Sequence, residues 1–336
     1  MFVLKRAAVA LLLAASLPAL AASSGPAPLR IVQRISGPDG HWDYASFDAA
    51  RRRVYVAHGD AVLSLDVDSG KLDAAFAMGS HLHAVVPVPG ADRIVTTNSG
   101  DNTAKVIDAK TGAVLASIPA AADTDSAAYD PATGLVVVIG GDSGEITLVD
   151  PRAMRAVGSI KVGEPLEFGA PDGKGRFFVN GVAKGEIVVI DLKTKSVAAR
   201  WPMTGCKAPT GLAYVAGERL VSACNGLAKI VSTRDGAEIA SLPIGPRPDA
   251  VIYDPKRAVA YIPTGGDGAL AEIALEGPNA NTIVATAKTQ VGTRTGAVDP
   301  KTGRVFLPTA QFAPPAQPGQ RPQAVPGTFQ MLVLDR

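Results

Sequence analysis

The chain has 336 residues, 33 Lys and Arg against 31 Asp and Glu, a formal net charge of +2, and two cysteines. A balance this even leaves no electrostatic footprint for nucleic acid. The cysteines show no C-x-x-C spacing, which excludes a thiol redox motif and covalent haem attachment.

Residues 1–22 read as a secretory signal peptide. Lys5-Arg6 is a basic start, Ala7 to Leu17 an apolar run, and Ala19-Leu20-Ala21 a small-x-small pattern that places cleavage near Ala21/Ala22. The run is too short to span a bilayer as a mature helix, and no later segment is long and apolar enough to do so. Lys5 and Arg6 supply the whole basic excess, so residues 23–336 carry 31 basic and 31 acidic side chains. The expected location is periplasmic or secreted. In an oxidising compartment Cys206 and Cys224 are expected to form one disulfide.

Beyond Arg30–Ile35, an apolar-rich segment that reads as a lone strand, the chain repeats itself. In residues 41–80 a strand from Asp43 to Phe47, a turn, a strand from Val54 to Ala57, a second turn and a strand from Val62 to Leu65 follow in order. Asp66-Val67-Asp68-Ser69-Gly70 is an Asx/Gly turn, and Lys71 to Phe76 is a fourth strand. Asp66, Asp108, Asp150 and Asp191 mark copies 41 or 42 residues apart, and later copies centre on Ile230, Ile273 and Leu334. Four short strands with a turn about every ten residues form the pattern of a propeller blade. Seven such units are present, with no sustained helical periodicity. The last unit stops after its third strand, and Arg30–Ile35 is placed to supply the missing fourth. The expected fold is all-β: residues 23–336 form a single seven-bladed propeller of four-stranded antiparallel blades, closed by the N-terminal strand. A Pro/Gln-rich loop between Thr309 and Gln330 is expected to be extended and mobile.

Several segments resemble the YVTN-repeat, YncE-like family of exported bacterial propellers. They are Arg53-Val54-Tyr55-Val56-Ala57, Arg93-Ile94-Val95-Thr96-Thr97-Asn98, Val162-Gly163, Ile244-Gly245-Pro246-Arg247-Pro248 and the Asp-x-x-Thr-Gly turns. The resemblance covers essentially all of residues 23–336. It implies the seven-bladed fold and a binding or scaffolding role, and it assigns no activity.

In a propeller, the loops leading into each blade and those joining its second and third strands emerge on one face. Aligning the copies on their second strands gives two rings at the channel mouth. One contains His41, His81, Asp123, Glu164, Lys207, Arg247 and Gly292. The other contains Asp43, His83, Asp125, Leu166, Pro209, Asp249 and Arg294. His58 falls in a second-to-third-strand turn, which places all four histidines on this face. His41, His81, Asp123 and Glu164 offer nitrogen and oxygen ligands of the kind that hold a divalent metal. Lys207, Arg247 and Arg294 could hold a carboxylate or phosphate. The competing reading for every one of these positions is a solvated rim.

No H-e-x-x-H, G-x-S-x-G, P-loop or dinucleotide fingerprint occurs, and Trp42 and Trp201 are too few tryptophans for a quinone-cofactor propeller. The expected function is therefore a non-enzymatic binding or scaffold protein whose top face takes a small polar ligand or a periplasmic protein. No cofactor is expected in that case. The alternative is a lactonase-like, metal-dependent hydrolase with a divalent ion at the channel mouth.

Overall fold

A computed structural model describes residues 27–314, 317 and 322–336. Residues 1–22, expected to be a signal peptide, lie outside the described residues. Blade 1 is built from Trp42–Asp48, Arg53–His58, Ala61–Asp66 and Leu72–Met78. Six further four-stranded antiparallel sheets repeat the plan, and no helix occurs among the described residues. The molecule is a seven-bladed β-propeller, as the repeat predicts.

Ring closure also follows the expectation. Arg30–Ser36 pairs antiparallel with Gln330–Asp335 and becomes the outer strand of blade 7, which otherwise comprises Ala297–Val298, Val305–Thr309 and Gln330–Asp335. The first and last described strands thus share one sheet, and the ring has no open interface.

Second and third strands bury almost every residue, because both of their faces meet a neighbouring blade. The core is accordingly divided into seven clusters, one at each blade–blade interface. Between blades 3 and 4, for example, Val137, Ile139 and Ile146 pack on Phe177, Val179 and Val188. At the closing interface Val54, Val56 and Leu63 pack on Phe306, Met331 and Val333.

The Asp turns behave as the sequence suggests. Asp66 Oδ1 accepts the Ser69 N–H at 2.8 Å, and Asp108 and Asp191 make the equivalent bonds at 2.9 Å. These donors hold all three carboxyls below their ordinary range. Cys206 and Cys224 form a disulfide that ties the segment leading into blade 5 to the second strand of that blade. In the Pro/Gln-rich loop, Phe312 and Ala324 form a β-bridge, and Asp39 accepts the Gly327 N–H at 2.7 Å. The bridge joins the two arms of the loop to each other, while Asp39 holds the Gly327 side and the Phe312 ring lies 5.9 Å from that of Trp42.

Candidate functional site

The first strand of each blade lines the central channel. In blades 1 to 4 it carries the same irregularity. Trp42 pairs with His58 and Ala45 with Val56; Leu82 pairs with Asn98 and Val85 with Thr96. Thr124 and Ala127 repeat this opposite Gly140 and Val138, and Leu166 and Gly169 repeat it opposite Gly181 and Val179. Two residues therefore oppose one, a β-bulge, which re-aims the side chains at that point. The first bulge residues are Asp43, His83, Asp125 and Glu167. The second are Tyr44, Ala84, Ser126 and Phe168.

Hydroxyls from adjacent strands fix the backbone of these residues. Thr97 Oγ1 donates to the Asp125 carbonyl at 2.6 Å, Ser126 Oγ to that of Glu167 at 3.0 Å, and Thr295 Oγ1 to that of Asp43 at 2.8 Å. The side chains then converge. Nδ1 of His83 lies 2.7 Å from Asp43 Oδ2 and 3.3 Å from Asp125 Oδ1, while its Nε2 lies 3.0 Å from Ser99 Oγ. Ligand atoms of Asp43, His83 and Asp125 all fall within 4.8 Å of one another, the one such group of His, Cys, Asp and Glu among the described residues. From blade 1 the Tyr44 hydroxyl reaches across the channel to donate to Glu167 Oε1 at 2.8 Å, and its ring packs on Phe168 with centroids 4.7 Å apart. Blades 6 and 7 add Asp249 and Arg294, paired at 2.8 Å, and Arg294 Nη2 donates to the Trp42 carbonyl at 3.1 Å.

Four carboxyls thus share a half-buried channel with one guanidinium and one imidazole. Burial raises the proton affinity of Asp125, Glu167 and Asp249, and repulsion from neighbouring carboxylates adds to it. Asp125 is pushed up to about 7, Glu167 to about 9 and Asp249 to about 6. Burial opposes the charged form of His83, but the hydrogen bond and charge of Asp43, aided by Asp125, outweigh it and hold the imidazole above its ordinary range. Burial, and then Glu167, push Tyr44 well above the usual phenol value. The ring concentrates acidic groups, three of them held towards their protonated forms, beside the guanidinium of Arg294.

The sequence-derived positions divide. Asp43, His83, Asp125, Asp249 and Arg294 stand together in the channel. His41, His81, Asp123, Lys207 and Arg247 are exposed on the rim above it. There His81 stacks on His83 with centroids 5.0 Å apart. His81, Asp123 and Arg247 adopt left-handed backbone conformations, with φ of 48°, 56° and 58°. Each is pinned by the preceding blade, whose Asp60, Asn102 or Asn225 accepts its backbone N–H at 2.7, 2.9 or 3.0 Å. Glu164 is buried towards the perimeter of blade 4, where Arg200 binds both it and Glu186. His41, His81, Asp123 and Glu164 do not form a group of mutually close ligands.

Two positions change on inspection. His58 ends the second strand of blade 1 instead of lying in a turn. It is buried, edge-on to Phe329 at 4.6 Å, and burial lowers its proton affinity. Glu167, not Leu166, occupies the inner-ring position of blade 4. The turn between the first two strands is one residue shorter there: Pro171 pairs with Phe177, whereas Phe47 pairs with Val54. Counting back from the second strand therefore lands one residue early. A Gly/Lys-rich turn, Asp172-Gly173-Lys174-Gly175, is the sequence signal that marks this different hairpin.

The chain matches no family model and no curated protein. Its fold is similar to that of a chain in hydrazine synthase from Kuenenia stuttgartiensis, with 14% identity, a TM-score of 0.72, and coverage of 81% of this chain and 92% of that one. A chain of a mitotic checkpoint complex is similar at 14% identity and a TM-score of 0.72, over 91% of this chain and 95% of that one. At such identity these likenesses concern the seven-bladed fold alone.

Proposed function

We propose that this protein is an exported member of the YVTN-repeat family and that its channel mouth binds a cation. The observation that carries this reading is the convergence of Asp43, His83 and Asp125 beside Glu167 and Asp249. Buried carboxyls that repel one another are stabilised by a positive ligand more than by any other. An imidazole with two carboxylates suits a divalent ion such as Zn²⁺ or Mn²⁺. His83 would bind through Nδ1, and Ser99 on Nε2 would fix the tautomer and the ring orientation. The rim residues His81, Asp123 and Arg247 then face whatever polar molecule or partner protein approaches the ion.

Thermal melts at pH 8 with Mn²⁺, Zn²⁺, Ca²⁺ or a small alkylamine test this reading. A saturable rise in melting temperature with one of the divalent ions, lost in Asp125→Asn, is expected. No shift with any of them contradicts it.

A second reading, a metal-dependent hydrolase, draws on Glu167. This carboxyl stays protonated to about pH 9 and lies beside the same cluster, where it could serve as a general acid. Lactone hydrolysis by the metal-loaded protein that disappears in Glu167→Gln, with metal binding retained, would favour catalysis over binding.

A further inference from the structure

Below the Tyr44–Phe168 pair the channel holds a cavity of about 250 Å³ that the acidic ring does not use. Tyr44, Phe47, Phe168 and Tyr253 line it, together with Ile252 and Val298; Phe47 and Tyr253 also pack against the blade 7–1 and blade 5–6 clusters, where the Tyr253 hydroxyl accepts the Ala216 N–H at 3.2 Å. Phe47 and Tyr253 each stand one residue before the end of their strand, and Val298 ends its own. The cavity therefore extends from the aromatic pair to the lower face of the ring.

Two innermost strands are interrupted beside this cavity. In blade 6 the ladder is interrupted between the Pro248–Thr264 bridge and Ile252, which leaves residues 249–251 outside it. In blade 7 the innermost strand is reduced to Ala297–Val298, with residues 293–296 outside the ladder. Ala250, Val251 and Gly296, from these two stretches, also line the cavity. They add small side chains and backbone polar groups to a wall that is otherwise aromatic and aliphatic. An enclosed apolar cavity of about 150 Å³ accepts benzene; this stretch of channel is larger, partly open and partly polar, and has room for one or two fused rings. The Tyr44–Phe168 ring pair at one end, with Phe47 and Tyr253 lower in the wall, favours a flat π-system, which can stack on one ring or meet it edge-on. Short apolar chains would leave those ring faces incompletely covered.

We infer that the lower channel is a binding pocket for a small planar aromatic molecule of one or two rings. Tyr44 is its ceiling, so the pocket and the acidic ring share one side chain but bind different chemistry. The inference does not rest on the cation reading.

Calorimetric titration of the full chain with indole and with 2-naphthol tests it. Saturable 1:1 binding of at least one of the two is expected. Val251 lines the cavity while packing on the blade 5–6 cluster, so Val251→Phe adds bulk to that wall and should weaken the binding at least about tenfold. Phe47→Leu removes one aromatic wall at little cost in volume and should weaken it several-fold. The pocket is refuted if neither probe binds, or if a folded Val251→Phe protein binds as well as the unmodified chain. Should Val251→Phe fail to fold, unchanged binding by Phe47→Leu refutes it instead.

Discussion

Asp125, Glu167 and Asp249 are carboxyls whose protonated forms the fold favours, and this gives the protein a pH signature. Their folded-state proton affinities are raised, so their contribution to stability is fully present below the ordinary carboxylate range, about pH 4. It is lost as the pH rises through about 6 for Asp249, about 7 for Asp125 and about 9 for Glu167. His83, also raised, acts in the same direction. The metal-free protein should therefore melt at a lower temperature at pH 9 than at pH 5, and Asp125→Asn should flatten that slope. Scanning calorimetry across this range checks both points, and a melting temperature that rises with pH contradicts them. Most of this ring was legible in the sequence, because Asp43, His83, Asp125, Asp249 and Arg294 keep a constant distance from strands that the repeat makes obvious. Glu167 was not, since one residue lost from a hairpin shifts every position before it. His58 was misplaced for a related reason: an exposed turn and the buried end of a strand differ by a single residue.

At the scale of the element, the bulged first strand is the device that turns a structural repeat into a site. A regular strand would alternate its side chains between faces, whereas the bulge presents Asp43 and Tyr44, or Glu167 and Phe168, in succession. No residue pattern in these strands announces a bulge, so the repeat could indicate where to look without showing how two adjacent side chains reach the channel. The disulfide is another local device, and its position could be read from the expected oxidising compartment and from the closeness of the first two strands of a blade. Cys206 and Cys224 are 18 residues apart, and closing a loop of that size contributes about 3 kcal/mol. Urea unfolding of the Cys206→Ala/Cys224→Ala protein should show a loss of this order, with the midpoint lowered. An unchanged midpoint would mean that the unfolded chain gains little freedom when the bridge is absent.

At the scale of the molecule, stability depends on the ring being closed. The chain end and the first described residues meet at Glu272 in blade 6, which is fully buried. It accepts the Leu29 N–H at 2.8 Å and pairs with Arg336 at 2.8 Å. Glu272→Ala strands a buried donor, which costs about 2 kcal/mol, and calorimetry should register a lower melting temperature. Removing residues 30–36 should have a larger effect. It exposes the edge of Gln330–Asp335, an invitation to pair with another chain, and size-exclusion chromatography should then show association or aggregation. A monomer of unchanged stability would mean that closure by this strand is dispensable. The closed ring is also what sets Asp43, His83, Asp125, Glu167 and Asp249 against one another, since they come from five different blades. The most direct test of the cation site is elemental analysis of the purified protein after equilibrium dialysis against Mn²⁺ or Zn²⁺ at pH 8. One bound ion per chain, absent in His83→Ala/Asp125→Asn, is the predicted result. A folded, unmodified protein that retains no ion, or a double variant that retains as much as the unmodified chain, would contradict it.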